Sequence, residues 1–442
     1  MGTVKKVLFV MMAILVMGVG AAFFYYKFEG EAPRVTVDPE VSFLGSQTSL
    51  TVRVADRRSG IERLTVRAEQ EGTSIVLLSE EFAAGVHQIE RLVEIVPSTL
   101  KFTEGPALLR IEAGDHSWRP GGNRTVIERQ VTVDTRPPQT TVLSRFHYVN
   151  QGGAQLVVYR SSESLVHSGV RVGERWFPGY PLDDGHYLCF FAVPFDMTQG
   201  PSIRLEASDL AGNVSRAGFY YQIKAKKFRR DTITISDNFL QRVMPYFMDR
   251  HPELQGDLLD VFLKVNRELR IAHNTRITEV CKGGESRPLW SGPFLRLERA
   301  KPMAGFGDHR IYTYKGRQID RQNHLGIDLA SLAMSPVPAA NRGRVIVADE
   351  MGIYGITVVL DHGCGVFSMY GHLSEAAVQP GDLVEKGQRV GTTGSTGLAG
   401  GDHLHFGMLV SGVFVNPIEW WDPHWIRDNV ESKLALLQSG TG

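Results

Sequence analysis

The chain has 442 residues, of which 43% are hydrophobic and 22% charged, a composition that builds packed cores and excludes a disordered or low-complexity protein. Lys plus Arg and Asp plus Glu number 48 each, so no net charge draws the molecule to nucleic acid, and no nucleic-acid partner is expected. The length accommodates roughly two to four domains.

Lys5 and Lys6 precede an unbroken apolar run from Val7 to Tyr26, close to the ~20 residues a helix needs to cross a bilayer. Their positive charge favours the cytoplasmic side, which sends everything after Lys27 outward. Gly20, Ala21 and Ala22 also offer the small-residue cleavage site of a signal peptide. Phe23, Phe24, Tyr25 and Tyr26 carry the apolar run past that site, which favours a single-pass inner-membrane anchor over residues 1–30. In both readings the body of the protein is extracytoplasmic, in the periplasm.

From about Pro33 to Ile223 short alternating runs, such as Leu50-Thr-Val-Arg-Val54 and Leu108-Leu-Arg-Ile-Glu-Ala113, are broken by Gly, Pro, Asp and Ser clusters. That period-2 pattern predicts β-sandwiches. Arg110-Ile-Glu-Ala-Gly-Asp115 with Gly122-Asn123 is echoed by Arg204-Leu-Glu-Ala-Ser-Asp209 with Gly212-Asn213, an offset of about one sandwich domain. Two modules are therefore expected, at 31–135 and 136–225, joined through Asp134-Thr-Arg-Pro-Pro138, since adjacent prolines cannot continue a sheet interior. The pattern is similar to the immunoglobulin-like modules of bacterial surface proteins. It implies a rigid spacer with no chemistry of its own.

The period changes over 226–287. Ser236 and Asp237 can cap a helix entering Phe239, Leu240 and Val243, which Pro245 is expected to kink or end. Leu258, Val261, Phe262, Val265 and Leu269 then recur every three to four residues as one apolar stripe. This helical connector either packs on the next domain or covers its active site. Cys189, Cys281 and Cys364 are widely spaced and form no CxxC pair, so neither a disulfide framework nor a thiolate metal site is indicated.

Three short clusters near the C-terminus carry the chemistry: Asn323-His324-Leu-Gly-Ile-Asp328, Met369-Tyr-Gly-His372-Leu and Asp402-His403-Leu-His405-Phe. A catalytic zinc needs about three protein ligands from imidazole nitrogen or carboxylate oxygen, plus an open position. His324, Asp328 and His405 can fill those places. In an extended segment residues two or four apart share a face, so His324 with Asp328, and His403 with His405, are expected to point the same way along a strand.

Together these clusters resemble the lysostaphin/LytM-type metallopeptidases, whose signature is H-x-x-x-D, a histidine in a strand, and H-x-H. The resemblance runs from about Pro288 to Trp421 and includes Gly381-Asp-Leu-Val-Glu-Lys-Gly-Gln-Arg-Val-Gly391, the Asp361-His362-Gly363 hairpin and Asn416-Pro417. It implies a mainly β protein: an antiparallel β-sheet metallopeptidase domain at 288–424 with a groove across it, following the two sandwiches, the helical connector and one transmembrane helix, with a tail at 425–442. It further implies Zn2+ held by His324, Asp328 and His405, catalytic roles for His372 and His403, and peptide bonds of peptidoglycan as substrate. Such zinc chemistry brings the pKa of a coordinated water from about 15.7 to near 7, with one histidine accepting its proton and the other donating to the developing oxyanion.

Gly400-Gly401-Asp402 and Gly407 depart from the family pattern, which touches groove shape rather than ligands. His309 and His362 lie outside the signature and are read as structural. The implied partners are peptidoglycan, the inner membrane through the N-terminal helix, and a regulatory envelope protein. The competing reading is a non-catalytic relative that activates another cell-wall hydrolase; an intact set of five residues argues against it.

Overall fold

A computed structural model describes residues 2–197 and 200–437; the last residues of the expected tail lie outside them. The chain is mainly β. An apolar helix, Gly2–Lys27, carries the N-terminal run, and its segment Val4–Lys27 is long and apolar enough to cross a membrane or to act as a signal sequence. Backbone contacts divide the chain into two compact units, one of residues 1–138 with 208–214 and one of 139–207 with 215–442.

In the first unit, a three-stranded and a five-stranded sheet send alternate side chains into one core. Leu50, Val52 and Val54 come from the strand Thr48–Ala55, and Leu109, Ile111 and Ala113 from Gly105–Asp115. This is the period-2 pattern of a half-buried sheet made physical. The two copies of the repeated motif each end a strand, Gly105–Asp115 and Ile203–Asp209, and Asp134 to Gln139 hold no strand, as the prolines require.

The second unit holds an eight-stranded sheet. Its order is Lys301–Ala304, Ile327–Ala330, Leu404–Val410, Val366–Leu373, Ile356–Asp361, Gly343–Glu350 and Leu383–Val384, with Val413–Val415 beside Leu404–Val410. Register places Asp328 directly opposite His405, and Gly371 opposite His405 on the other side. A one-residue slip would turn each of these side chains to the other face.

The connector is not wholly helical. Its first part, Arg230–Ile235, is a strand that pairs in parallel with His309–Tyr314, which in turn pairs with Arg317–Asn323. Ser236 caps the helix Asp237–Arg250 by accepting from the Phe239 amide at 3.1 Å. Pro245 lies inside this helix and does not end it. Leu240, Val243, Met244 and Phe247 on its buried side outweigh the one backbone hydrogen bond that proline removes. The apolar stripe follows as Leu258–Lys264, a π-helical turn Val265–Leu269 and Arg270–Val280.

Residues 139–207 do not stand apart from the C-terminal sheet, as a separate module would. Phe190 packs on Trp290 and Trp420 at ring separations of 6.0 Å, and buried Glu419 accepts from Asn150 Nδ2 at 2.7 Å and the Ala154 amide at 3.0 Å. Helical turns over 423–437 complete this face, with Lys433 Nζ donating to Gln155 Oε1 at 2.7 Å and to the Leu156 carbonyl at 2.9 Å. These residues are docked rather than a free tail. The three cysteines are buried and free.

Candidate active site

His324, Asp328 and His405 converge as the spacing suggests, by a different route. His324 lies in the break between Arg317–Asn323 and Ile327–Ala330, so it reaches Asp328 across a turn and not along one strand. Gly326 makes the turn workable: a Cβ there would stand 2.5 Å from His405 Nε2 and 2.7 Å from the Phe406 carbonyl, inside any tolerable contact. His324 Nε2 is 3.0 Å from Asp328 Oδ1 and 3.1 Å from His405 Nδ1, and His405 Nδ1 is 2.9 Å from Asp328 Oδ1. All three residues are buried.

The donor chemistry fits a metal ion. His324 Nδ1 donates to the Gly305 carbonyl at 2.9 Å, so in the neutral ring Nε2 carries a bare lone pair. It faces a carboxylate oxygen 3.0 Å away, and two acceptors so close repel unless a proton or a cation lies between them. Ligands sharing one tetrahedral ion at zinc–nitrogen distances stand ~3.3 Å apart, near the spacings observed. Asp328 is buried, which opposes its charge, yet the surrounding His324, His403 and His405 hold its carboxyl well below the usual range. Burial lowers His405 to about 4, against the pull of Asp328.

His372 and His403 stand beside this triad, with ring centroids 4.8 Å apart. His372 Nδ1 donates to the Thr396 carbonyl and His403 Nδ1 to the Gly401 carbonyl, each at 2.8 Å, which leaves Nε2 of each neutral ring with its lone pair. His403 Nε2 lies 3.6 Å from Asp328 Oδ1. Burial drives His372 well below the ordinary imidazole range, helped by its two neighbouring histidines. At His403 burial opposes the charge, and Asp328 outweighs it, so the pKa is raised. The pair is thus poised with opposite protonation preferences. His372 also adopts a φ of 61° inside its strand, a strained conformation of the kind that clusters at functional sites.

The five residues line a cavity of about 470 Å³ shared with Arg242, Arg270, Arg310, Tyr354, residues 233–236, Asn238 and Phe239. Arg310 Nη2 pairs with Asp328 Oδ2 at 2.6 Å, and Tyr354 lays its ring 5.2 Å from that of His405. Sequence reasoning misses both, because neither belongs to a spaced motif. His362 is structural as read, bonded to the Arg342 carbonyl and to Ser368 Oγ at 2.7 Å each. His309 lies outside the cavity and bonds Asn323 Oδ1 at 2.7 Å.

Residues 322–417 match Peptidase family M23. The chain carries a peptidase M23 domain. Its relatives include an uncharacterized metalloprotease of Haemophilus influenzae, 35% identical over 27% of this chain and 25% of the relative. The peptidoglycan DD-endopeptidase ShyB of Vibrio cholerae is 35% identical over 24% of each chain. The murein hydrolase activator EnvC of Escherichia coli is 38% identical over 22% of this chain and 23% of the relative. The chain thus spans about a quarter of the length of these relatives.

Proposed function

We propose that this protein is a zinc-dependent endopeptidase that cuts peptide bonds in peptidoglycan stems or cross-links, held at the inner membrane by its N-terminal helix with the M23 domain in the periplasm. The observation that carries the reading is the convergence of three donor atoms from His324, Asp328 and His405 within 3.1 Å of one another, with two further histidines beside them. A bound zinc ion supplies Lewis acidity toward a substrate carbonyl and makes a water nucleophilic at neutral pH.

The chain's own residues do the rest. His372, kept neutral by burial, is the proton acceptor. His403 donates to the oxygen that gains charge in the transition state. Asp328 restrains His403 through its Oδ1, and the Thr396 and Gly401 carbonyls set the ring tautomers. Digestion of purified peptidoglycan with the zinc-loaded chain, followed by mass identification of released muropeptides, tests the reading; an unaltered muropeptide profile rejects it.

A second reading is that the M23 domain activates another hydrolase, the function named for the relative EnvC. An activator has no need of the complete donor set. The domains divide, in this proposal, as a membrane anchor, a β-rich spacer, a second β-rich segment packed on the C-terminal sheet, a connector that roofs the groove, and the M23 domain. The roof is supported by Phe239 and Arg242, which line the same cavity as the five site residues, and by Arg242 Nη2, which donates to the Gly400 carbonyl at 2.8 Å.

A further inference from the structure

A second cluster of ligand-type side chains lies in the first unit, apart from the M23 domain. Glu29, Asp56 and Asp115 each bring a carboxylate oxygen within 4.8 Å of the other two. They are 2%, 5% and 2% exposed, so water does not screen their mutual repulsion. Arg58 holds its Nε 3.9 Å from Glu29 Oε2, beyond hydrogen-bond reach. Its guanidinium also stacks on Tyr25 and reaches out to Glu31.

Two of the carboxylates are fixed by backbone. Asp56 Oδ1 accepts from the amides of Arg58 and Gly60 at 3.1 and 2.6 Å, and Asp115 Oδ1 from those of Ser117 and Asn123 at 3.1 Å each. The third is the informative one. Glu29 Oε1 accepts from the Ser59 amide at 2.6 Å, but Glu29 Oε2 and the neighbouring Ser59 Oγ are both buried with no hydrogen-bond partner. A buried carboxylate oxygen left unpaired costs far more than a paired one, unless something positive binds it.

We propose that Glu29, Asp56 and Asp115 form a calcium site that locks the chain leaving the N-terminal helix onto the first β-rich unit. All the donors are oxygen, which selects a hard cation over zinc. Several carboxylates from separate segments of the chain suit the larger, geometrically tolerant Ca2+ better than octahedral Mg2+. The corner is built to be bridged: Asn123 Nδ2 donates to Asp115 Oδ2 at 2.9 Å and to the Glu29 carbonyl at 3.1 Å. In the repeated motif Asn213 Nδ2 makes the matching bonds to Asp209 Oδ2 at 3.0 Å and to the Asp134 carbonyl at 2.8 Å. The motif that the peptidase chemistry leaves unused thus serves to hold an incoming acidic linker.

The test uses the full chain in detergent, loaded with zinc. Tb3+ is the probe, excited through Trp118, whose amide donates to the Lys27 carbonyl at 2.7 Å. Wild type is expected to give sensitised emission displaced by Ca2+, with a dissociation constant on the order of 0.1–1 mM, as in other extracellular modules. Calcium should also raise its melting temperature. Glu29→Gln removes a negative charge without removing volume, so it should stay folded in chelator while losing the calcium-dependent shift and binding at least tenfold more weakly. Asp115→Asn is expected to behave likewise. Absence of Ca2+-displaceable emission in wild type, or an unchanged calcium response in Glu29→Gln, would overturn the proposal.

Discussion

Asp328 is gripped from both sides: Oδ2 pairs with Arg310 Nη2 at 2.6 Å, while Oδ1 faces His324, His405 and His403 at 3.0, 2.9 and 3.6 Å. Arg310 is buried, which opposes its charge, and Asp328 more than compensates. The arginine thereby decides which carboxylate oxygen is offered to the histidines. Arg310→Met is expected to weaken metal retention or turnover by roughly 10–100-fold, the usual effect of losing an outer partner of a ligand, and Arg310→Lys to recover part of it. Metal content and peptidoglycan digestion read the two effects separately, and a full-activity Arg310→Met would remove the orienting role.

Asp328→Ala and His405→Ala should each abolish hydrolysis and lower zinc content, since each removes one of three donors to a single ion. Metal analysis after chelator stripping and reloading is the check. A variant that keeps one zinc per chain and normal turnover would refute the ligand assignment.

His372→Ala should behave otherwise. Its Nδ1 is spent on the Thr396 carbonyl and its ring lies beside that of His403, so zinc should remain bound while turnover falls by roughly a hundredfold or more. Loss of zinc in this variant would move His372 into the ligand set.

The roofing helix predicts a gain on loosening. Phe239→Ala combined with Arg242→Ala, made in the full chain, removes a wall of the cavity and the bond to the Gly400 carbonyl. Peptidoglycan digestion several-fold faster at equal zinc occupancy is expected. Equal rates with equal thermal stability would reduce this helix to a connector.

Lys433 supplies a pH signature. Burial lowers its pKa from 10.5 to about 7, so between those values the unfolded chain holds a proton that the native state has lost. Stability therefore rises with pH from about 7 toward 10.5, and below about 7 the burial penalty is complete and constant. The full effect is on the order of a few kcal/mol. Urea unfolding at pH 7, 8 and 9 should show this rise in wild type and a flatter slope in Lys433→Met; parallel slopes would contradict it.

The site histidines and Asp328 were legible because metal ligation imposes short, repeated spacings, and the sheet register then sets Asp328 across from His405. Arg310 and Tyr354 were not, because a single arginine or tyrosine carries no spacing and meets the site only through tertiary packing. The strand Arg230–Ile235 had a signal, the alternation Thr232-Ile-Thr-Ile235, but its partner begins 79 residues later. The docking of 423–437 was hinted at by Trp420, Trp421 and Trp425, whose burial the sequence could not assign to a surface.

The bonds from Lys433 to Gln155 and Leu156 span 278 and 277 positions, and Glu419 reaches Asn150 across 269. During synthesis, the β-rich segment 139–207 therefore leaves the ribosome long before the surface that finishes its core exists. Packing of this segment waits on residues 419–433. A chain ending before residue 417 would lack Trp420 and leave the aromatic face around Phe190 and Trp290 unsealed.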